Sequence, residues 1–253
     1  MSDMFAGSRI KLERADTHIR SLIAEIESFR QSNPYEIAVH EEPSTGMQSL
    51  CAVVHRATPE EWSAIIGDAI HNARTALDLL INDLVDPVHR GTATFPIRAT
   101  PEEKWPSGIP RIKGLSSTLQ ERLVAIQPYV TGDMTLRDLH ILDIEDKHKV
   151  LVALSSATAV RNIRATQKGL RGTMSVGEIR IDTSKMGPTP TGISVHRSMG
   201  MEFHTDFDVS IEIVFGNTDA LPSAPVVPAL ERFLEAVQEI IAEFTPNYIN
   251  AKL

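Results

Sequence analysis

The chain has a single cysteine, Cys51, in 253 residues, so no internal disulfide can staple it and stability must come from apolar burial. A chain of this length buries enough apolar surface to manage without staples. A lone thiol fits a reducing compartment, and Cys51 reads as a small strand residue. Long hydrophobic runs are also missing: nothing approaches the roughly 18 consecutive apolar residues of a membrane span. Residues Met1 to Ile10 carry Asp3, Gly7 and Arg9, where an export signal needs an unbroken apolar stretch. The expectation is a cytoplasmic protein with no membrane partner. No Gly-rich phosphate loop with its Lys-Ser/Thr follows a strand, Cys51 has no companion for zinc, and the serines lack a nucleophile context, which excludes P-loop nucleotide hydrolysis. There is no internal repeat and no excess of positive charge. A net charge of -8 excludes a surface that tracks a nucleic-acid backbone throughout, but not a local basic patch.

What is present is mostly helical periodicity. Leu12, Ala15, Ile19, Leu22, Ile26 and Phe29 alternate in steps of three and four, predicting a helix over about Asp3 to Gln31 that Asn33-Pro34 stops. Tyr35 to His40 and Gln48 to Arg56 flank Glu-Pro-Ser-Thr-Gly as a hairpin. Thr58-Pro59-Glu60-Glu61 opens a second long helix, striped by Trp62, Ile66, Ala69, Ala73, Leu77, Leu80 and Leu84. A proline-rich connection follows, with Phe95-Pro96-Ile97 extended and a short helix expected after Thr100-Pro101. Ser117-Thr118-Leu119-Gln120 reads as a capping box for a short helix, and Gly132-Asp133 caps a longer one reaching about Leu154. Phe203 to Phe215 then alternates apolar and polar residues as one half-buried strand, with partners near Ala157 to Thr166, Met174 to Asp182 and Ile193 to Ser198. A last helix is striped by Val227, Leu230, Leu234, Val237, Ile241 and Phe244.

The expected fold is therefore mainly α with β. It is a four-helix-type bundle with a four-stranded antiparallel β-section inserted before the last helix, plus the N-terminal-half hairpin. One domain, 1–253, is expected, its bundle drawn from 1–33, 58–154 and 222–246 and its β-section from 155–216.

Two helices carry the candidate chemistry. Gly67, His71, Arg74 and Asp78 fall along one side of the second helix, where imidazole, guanidinium and carboxylate can orient one another or grip an anion. The same set also suits a satisfied hydrogen-bond network at a helix boundary. Asp143-Ile144-Glu145-Asp146-Lys147-His148-Lys149 is the densest ionisable cluster. From Lys147 to Gly177 there are six Lys or Arg residues and no acid, which points to an anionic partner. Arg161 and Arg164 in that stretch are binding candidates, or else, with Lys168 and Arg171, partners of Asp206, Asp208 and Glu212 across neighbouring strands. The two long helices should lie side by side, so that His71, Arg74, Asp78, Asp146, Lys147 and His148 converge.

Gly67-Asp68, His71-Asn72-Ala73-Arg74, Ala76-Leu77-Asp78, Phe95-Pro96-Ile97, Gln127-Pro128-Tyr129 and Asp146-Lys147-His148-Lys149 resemble a bacterial and phage family of helical proteins with no attached activity, over about Glu60 to Leu151. More distantly, the helical part resembles the HEPN superfamily. That resemblance implies a helical bundle, a homodimer and metal-independent ribonuclease chemistry in phage defence. The superfamily's arginine, four to six residues, then histidine occurs here only between Arg197 and His204, within the β-section. A site of this kind would be composed across helices, with His71 or His148 as general acid/base and Arg74 or Lys147 stabilising phosphate charge. Asp78, Asp146, Lys147, Lys149, Arg161 and Arg164 complete the binding set, and no cofactor is required. A protein-association module using the same polar residues as an internal network is the first alternative. The second is a di-metal carboxylate bundle, because Asp68-x-x-His71 and Glu145-x-x-His148 are two acid-x-x-His pairs, with Glu25 and either Glu121 or Glu235 as the two further ligands.

Overall fold

A computed structural model describes residues 5–44, 47–101, 114–149, 154–161, 163–167, 173–176, 179–182, 191–193, 201–203, 208–216 and 218–251. The protein is mainly helical. Its helices are α1 (Ala6–Gln31), α2 (Glu61–Leu84), α3 (Ser117–Ala125), α4 (Pro128–Thr131), α5 (Thr135–Lys149) and α6 (Val226–Ala251). Its strands are β1 (Tyr35–Glu42), β2 (Met47–Val54), β3 (Leu154–Arg161), β4 (Ile163–Gln167), β5 (Thr173–Val176), β6 (Ile179–Asp182), β7 (Thr191–Ile193), β8 (Met201–Phe203) and β9 (Asp208–Phe215). The chain divides into two compact units: the first comprises 1–23, 61–153 and 217–253, and the second 24–60 and 154–216.

In the first unit α2, α5 and α6 pack on one another. The stripe of α2 is buried from Trp62 through Ile66, Ala73, Leu77 and Leu80 to Leu84, as its three-four spacing requires. Leu136, Leu139 and Leu142 of α5 and Leu230, Phe233, Val237 and Phe244 of α6 are buried as well. Helix α1 buries Ala15, Ile19 and Leu22, and its Lys11 Nζ donates to Asn72 Oδ1 of α2 at 3.1 Å.

Local chemistry sets the boundaries. Asp133 Oδ1 accepts from the Thr135 backbone N–H at 2.9 Å and from its hydroxyl at 2.7 Å, and these bonds hold the Asp133 carboxyl below its ordinary range. Gly132, at φ +76°, ends α4 in the left-handed region. The cap of α3 is Ser116, whose Oγ accepts from Leu119 N, not Ser117. With two serines in tandem, the pattern leaves the cap ambiguous by one residue. Helix α5 is described as far as Lys149, 150–153 lie outside the described residues, and Leu154 opens β3 instead of closing a helix. An apolar run this short suits either element. The helix expected after Thr100-Pro101 lies outside the described residues.

Among the described residues of the second unit the strands form three three-stranded sheets, ordered β1-β2-β7, β6-β3-β9 and β5-β4-β8, all with antiparallel neighbours. Of the alternating run from Phe203 to Phe215, Phe203 belongs to β8, which pairs with β4, and Asp208–Phe215 form β9, which pairs with β3, while 204–207 lie outside the described residues. Alternation specifies a face, but not which strand lies beside it. The register sets Arg161 opposite Asp208 and Ala157 opposite Glu212, whereas Arg164 faces Ser175.

Candidate functional site

The polar residues of α2 and α5 form two arrangements within the first unit. The first is a clamp on the extended segment after α2. Arg74 is buried, its side chain 8% exposed. Its Nη1 donates to Asp78 Oδ1 at 2.7 Å and its Nη2 to the Phe95 carbonyl at 2.8 Å. Asp78 Oδ1 also accepts from Phe95 N at 2.7 Å, so one ion pair satisfies both backbone groups of Phe95. One turn later, Asn82 donates to the Ala93 carbonyl and accepts from Gly91 N. On the other side, fully buried Gln127 accepts from Arg98 N at 2.8 Å and donates to the Pro96 carbonyl at 3.1 Å. The Arg98 guanidinium lies 5.0 Å from the centre of the Tyr129 ring, within cation–π range.

The second arrangement is a titratable cluster where α2 meets α5. Asp143, its side chain 5% exposed, is the hub. His71 Nδ1–H donates to Asp143 Oδ1 at 3.0 Å, and Lys147 Nζ donates to Oδ2 at 2.6 Å. Both donors are half-exposed, and the outward nitrogen of His71, Nε2, is 3.4 Å from Thr75 Oγ1. The helices can approach here because Gly67 has no side chain: a Cβ on it would collide with the Asp146 carboxyl. Burial raises the Asp146 carboxyl above its ordinary range, and the Asp143 and Asp68 charges push it the same way, while His71 and Lys147 oppose. His140 lies one turn before Asp143. Burial lowers its imidazole below the ordinary value, Arg74 acts in the same direction, and among the described residues its buried Nδ1 has no hydrogen-bond partner.

No protein-family model, curated protein or solved structure matches this chain.

Of the six groups expected to converge, the structure brings together His71, Asp146 and Lys147, and places Arg74 with Asp78 in the adjoining clamp. His148 is exposed and takes no part in these bonds. Five residues beyond Asp143 it falls on another side of α5, where Ile144 is also exposed. The side chain of Lys149 lies outside the described residues. Arg161 and Arg164 belong to β3 and β4 of the second unit, and their side chains too lie outside what is described.

The four residues of the di-metal alternative do not assemble. Glu145 is buried and accepts from Asp219 N at 3.1 Å, and His71 is turned to Asp143. Among the described residues no group of three or more His, Cys, Asp or Glu is arranged to hold a metal ion. Asp143, the hub, opens the ionisable run of α5 but is not one of the six groups expected to converge. Asp143, three residues before Asp146 and four before Lys147, shares their face of α5, and that spacing was the available signal. A groove of about 530 Å³ between α1 and α6 is lined by Leu12, Asp16, Arg20, Leu234 and Ile241, among others, and by none of the cluster residues.

Proposed function

We propose that this chain is a HEPN-like, bacterial or phage-associated cytoplasmic protein that binds RNA or nucleotide phosphates and cleaves RNA without a metal. In this reading α1, α2, α5 and α6 act as a four-helix-type bundle carrying an inserted antiparallel β-section, and the protein works as a homodimer. The observation that carries the proposal is the 3.0 Å hydrogen bond from the half-exposed His71 to the buried Asp143. A carboxylate behind Nδ1 fixes the tautomer and leaves Nε2 outward as a proton acceptor, which is the geometry of a general base. Lys147, at the other oxygen of the same carboxylate, supplies a positive charge beside it, and the basic residues from Lys147 to Gly177 extend that charge along the sequence. His148, Lys149, Arg161 and Arg164 are assigned to RNA binding. The test is incubation of single-stranded RNA with the purified chain in a metal chelator. His71→Ala is expected to slow cleavage about 100-fold, the usual contribution of a general base. Undiminished cleavage by that variant, or none by the native chain, contradicts the proposal.

One observation favours the non-enzymatic reading for part of this set. Arg74 donates inward to Asp78 and Phe95, so its guanidinium is committed to the fold and we assign it no role in holding phosphate.

A further inference from the structure

Threonines inside helices usually return their hydroxyl to the carbonyl four residues back. Among the described residues Thr17 donates to Glu13 at 2.8 Å, Thr131 to Gln127 at 3.3 Å and Thr245 to Ile241 at 2.7 Å in this way. Thr75 instead directs its Oγ1 at the imidazole four residues back, 3.4 Å from His71 Nε2. That imidazole is held from behind by Asp143 at 3.0 Å, and Asp143 is fixed in turn by Lys147 at 2.6 Å. The imidazole thus lies between hydroxyl and buried carboxylate, in contact with each through a different nitrogen. This is the order that activates an alcohol as a nucleophile on unrelated folds. The hydroxyl is loosely held at 3.4 Å, and such contacts tighten when substrate binds. Thr75 is half-buried and His71 exposed, so an incoming group has access from the solvent side of α2.

We infer that Thr75, His71 and Asp143 form an acyl-transfer relay that takes activated esters of carboxylic acids. The inference rests on the His71–Asp143 pair of the preceding reading, but not on its RNA substrate. His71 Nε2 takes the Thr75 hydroxyl proton as Oγ1 bonds to the ester carbonyl carbon. The bond from that carbon to the leaving oxygen then breaks, and the leaving oxygen receives the proton from Nε2. Water, giving its proton to Nε2, attacks the acyl-threonine. The carboxylic acid departs, and the proton returns to Oγ1.

The experiment is reaction of the full chain with p-nitrophenyl acetate, followed by intact mass measurement and peptide mapping. The relay predicts a burst of nitrophenolate and one acetyl group on Thr75. Labelling should be retained in Thr75→Ser, lost in Thr75→Val, slowed about 100-fold in His71→Ala, and slowed in Asp143→Asn, with circular dichroism confirming that each variant is folded. Acetylation confined to lysines, or equal labelling in Thr75→Val, overturns the inference. Acetylation of Thr75 by a chain that cleaves no RNA supports the relay against the phosphodiester reading. RNA cleavage without acetylation of Thr75 overturns the relay.

Discussion

Arg74 and His71 are three residues apart on one helix and do opposite things. The Arg74 guanidinium is buried and spends its donors on Asp78 and the Phe95 carbonyl. Truncating it strands a backbone carbonyl and a partly buried carboxylate, so Arg74→Ala should destabilise the fold by about 3 kcal/mol, read as a lower urea midpoint. A loss below about 0.5 kcal/mol, the scale of an ordinary surface change, means that the clamp is not structural. His140 adds a pH dependence. Burial and Arg74 lower its imidazole from the ordinary 6.5, so the folded chain binds this proton less readily than the unfolded one. The stability it confers is fully present above about pH 6.5 and is lost as pH falls from there through the lower folded value. His140→Gln should flatten that part of the stability–pH profile, measured by urea denaturation between pH 5 and 8. An unchanged slope would show that His140 is not the group responsible.

At the scale of elements, the quoted motif residues sort themselves by contact. Arg74, Asp78, Phe95-Pro96 and Gln127 meet in the clamp, whereas Gly67, His71, Asp146 and Lys147 meet across the α2–α5 contact. The sequence showed which residues share a helix face, because the 3.6-residue period fixes that. It also suggested that these two helices adjoin. It could not show that Asp143, not Asp146, receives His71, since that depends on the axial offset between helices that share no local sequence. His148 stands apart for a similar reason: its place in the ionisable run gives its position along α5 but not its contact with α2. Alternation marks Phe203–Phe215 as β, and both of its described parts are strands, but it does not say that β8 lies beside β4 and β9 beside β3. The close contact at Gly67 gives a sharp test. Gly67→Ala should destabilise by about 2 kcal/mol through overpacking against the Asp146 carboxyl, and Asp146→Ala in the same chain should recover most of that loss in thermal melts. Additive losses instead would mean that the two residues do not touch. Asp146→Asn alone should raise stability at neutral pH, because the carboxyl is held above its ordinary range by burial and by Asp143 and Asp68.

For the whole molecule, the net charge of -8 and the acid-free stretch from Lys147 to Gly177 pull in opposite directions, so RNA affinity should be modest and fall steeply with salt. Fluorescence anisotropy with a short single-stranded RNA between 50 and 200 mM salt should show a log–log slope of about -2 or steeper, as release of several counterions requires. A flat response would remove the phosphate backbone from the account. The measurement that bears most directly on the central claim, that the α2–α5 cluster is the working site and the Arg74 clamp its scaffold, compares His71→Ala with Arg74→Ala for both melting temperature and reactivity. The account predicts that His71→Ala melts within a few degrees of the native chain and loses its RNA or ester reactivity about 100-fold, while Arg74→Ala mainly loses stability. A His71 variant that is as active as the native chain, or one that loses activity only by unfolding, would contradict it.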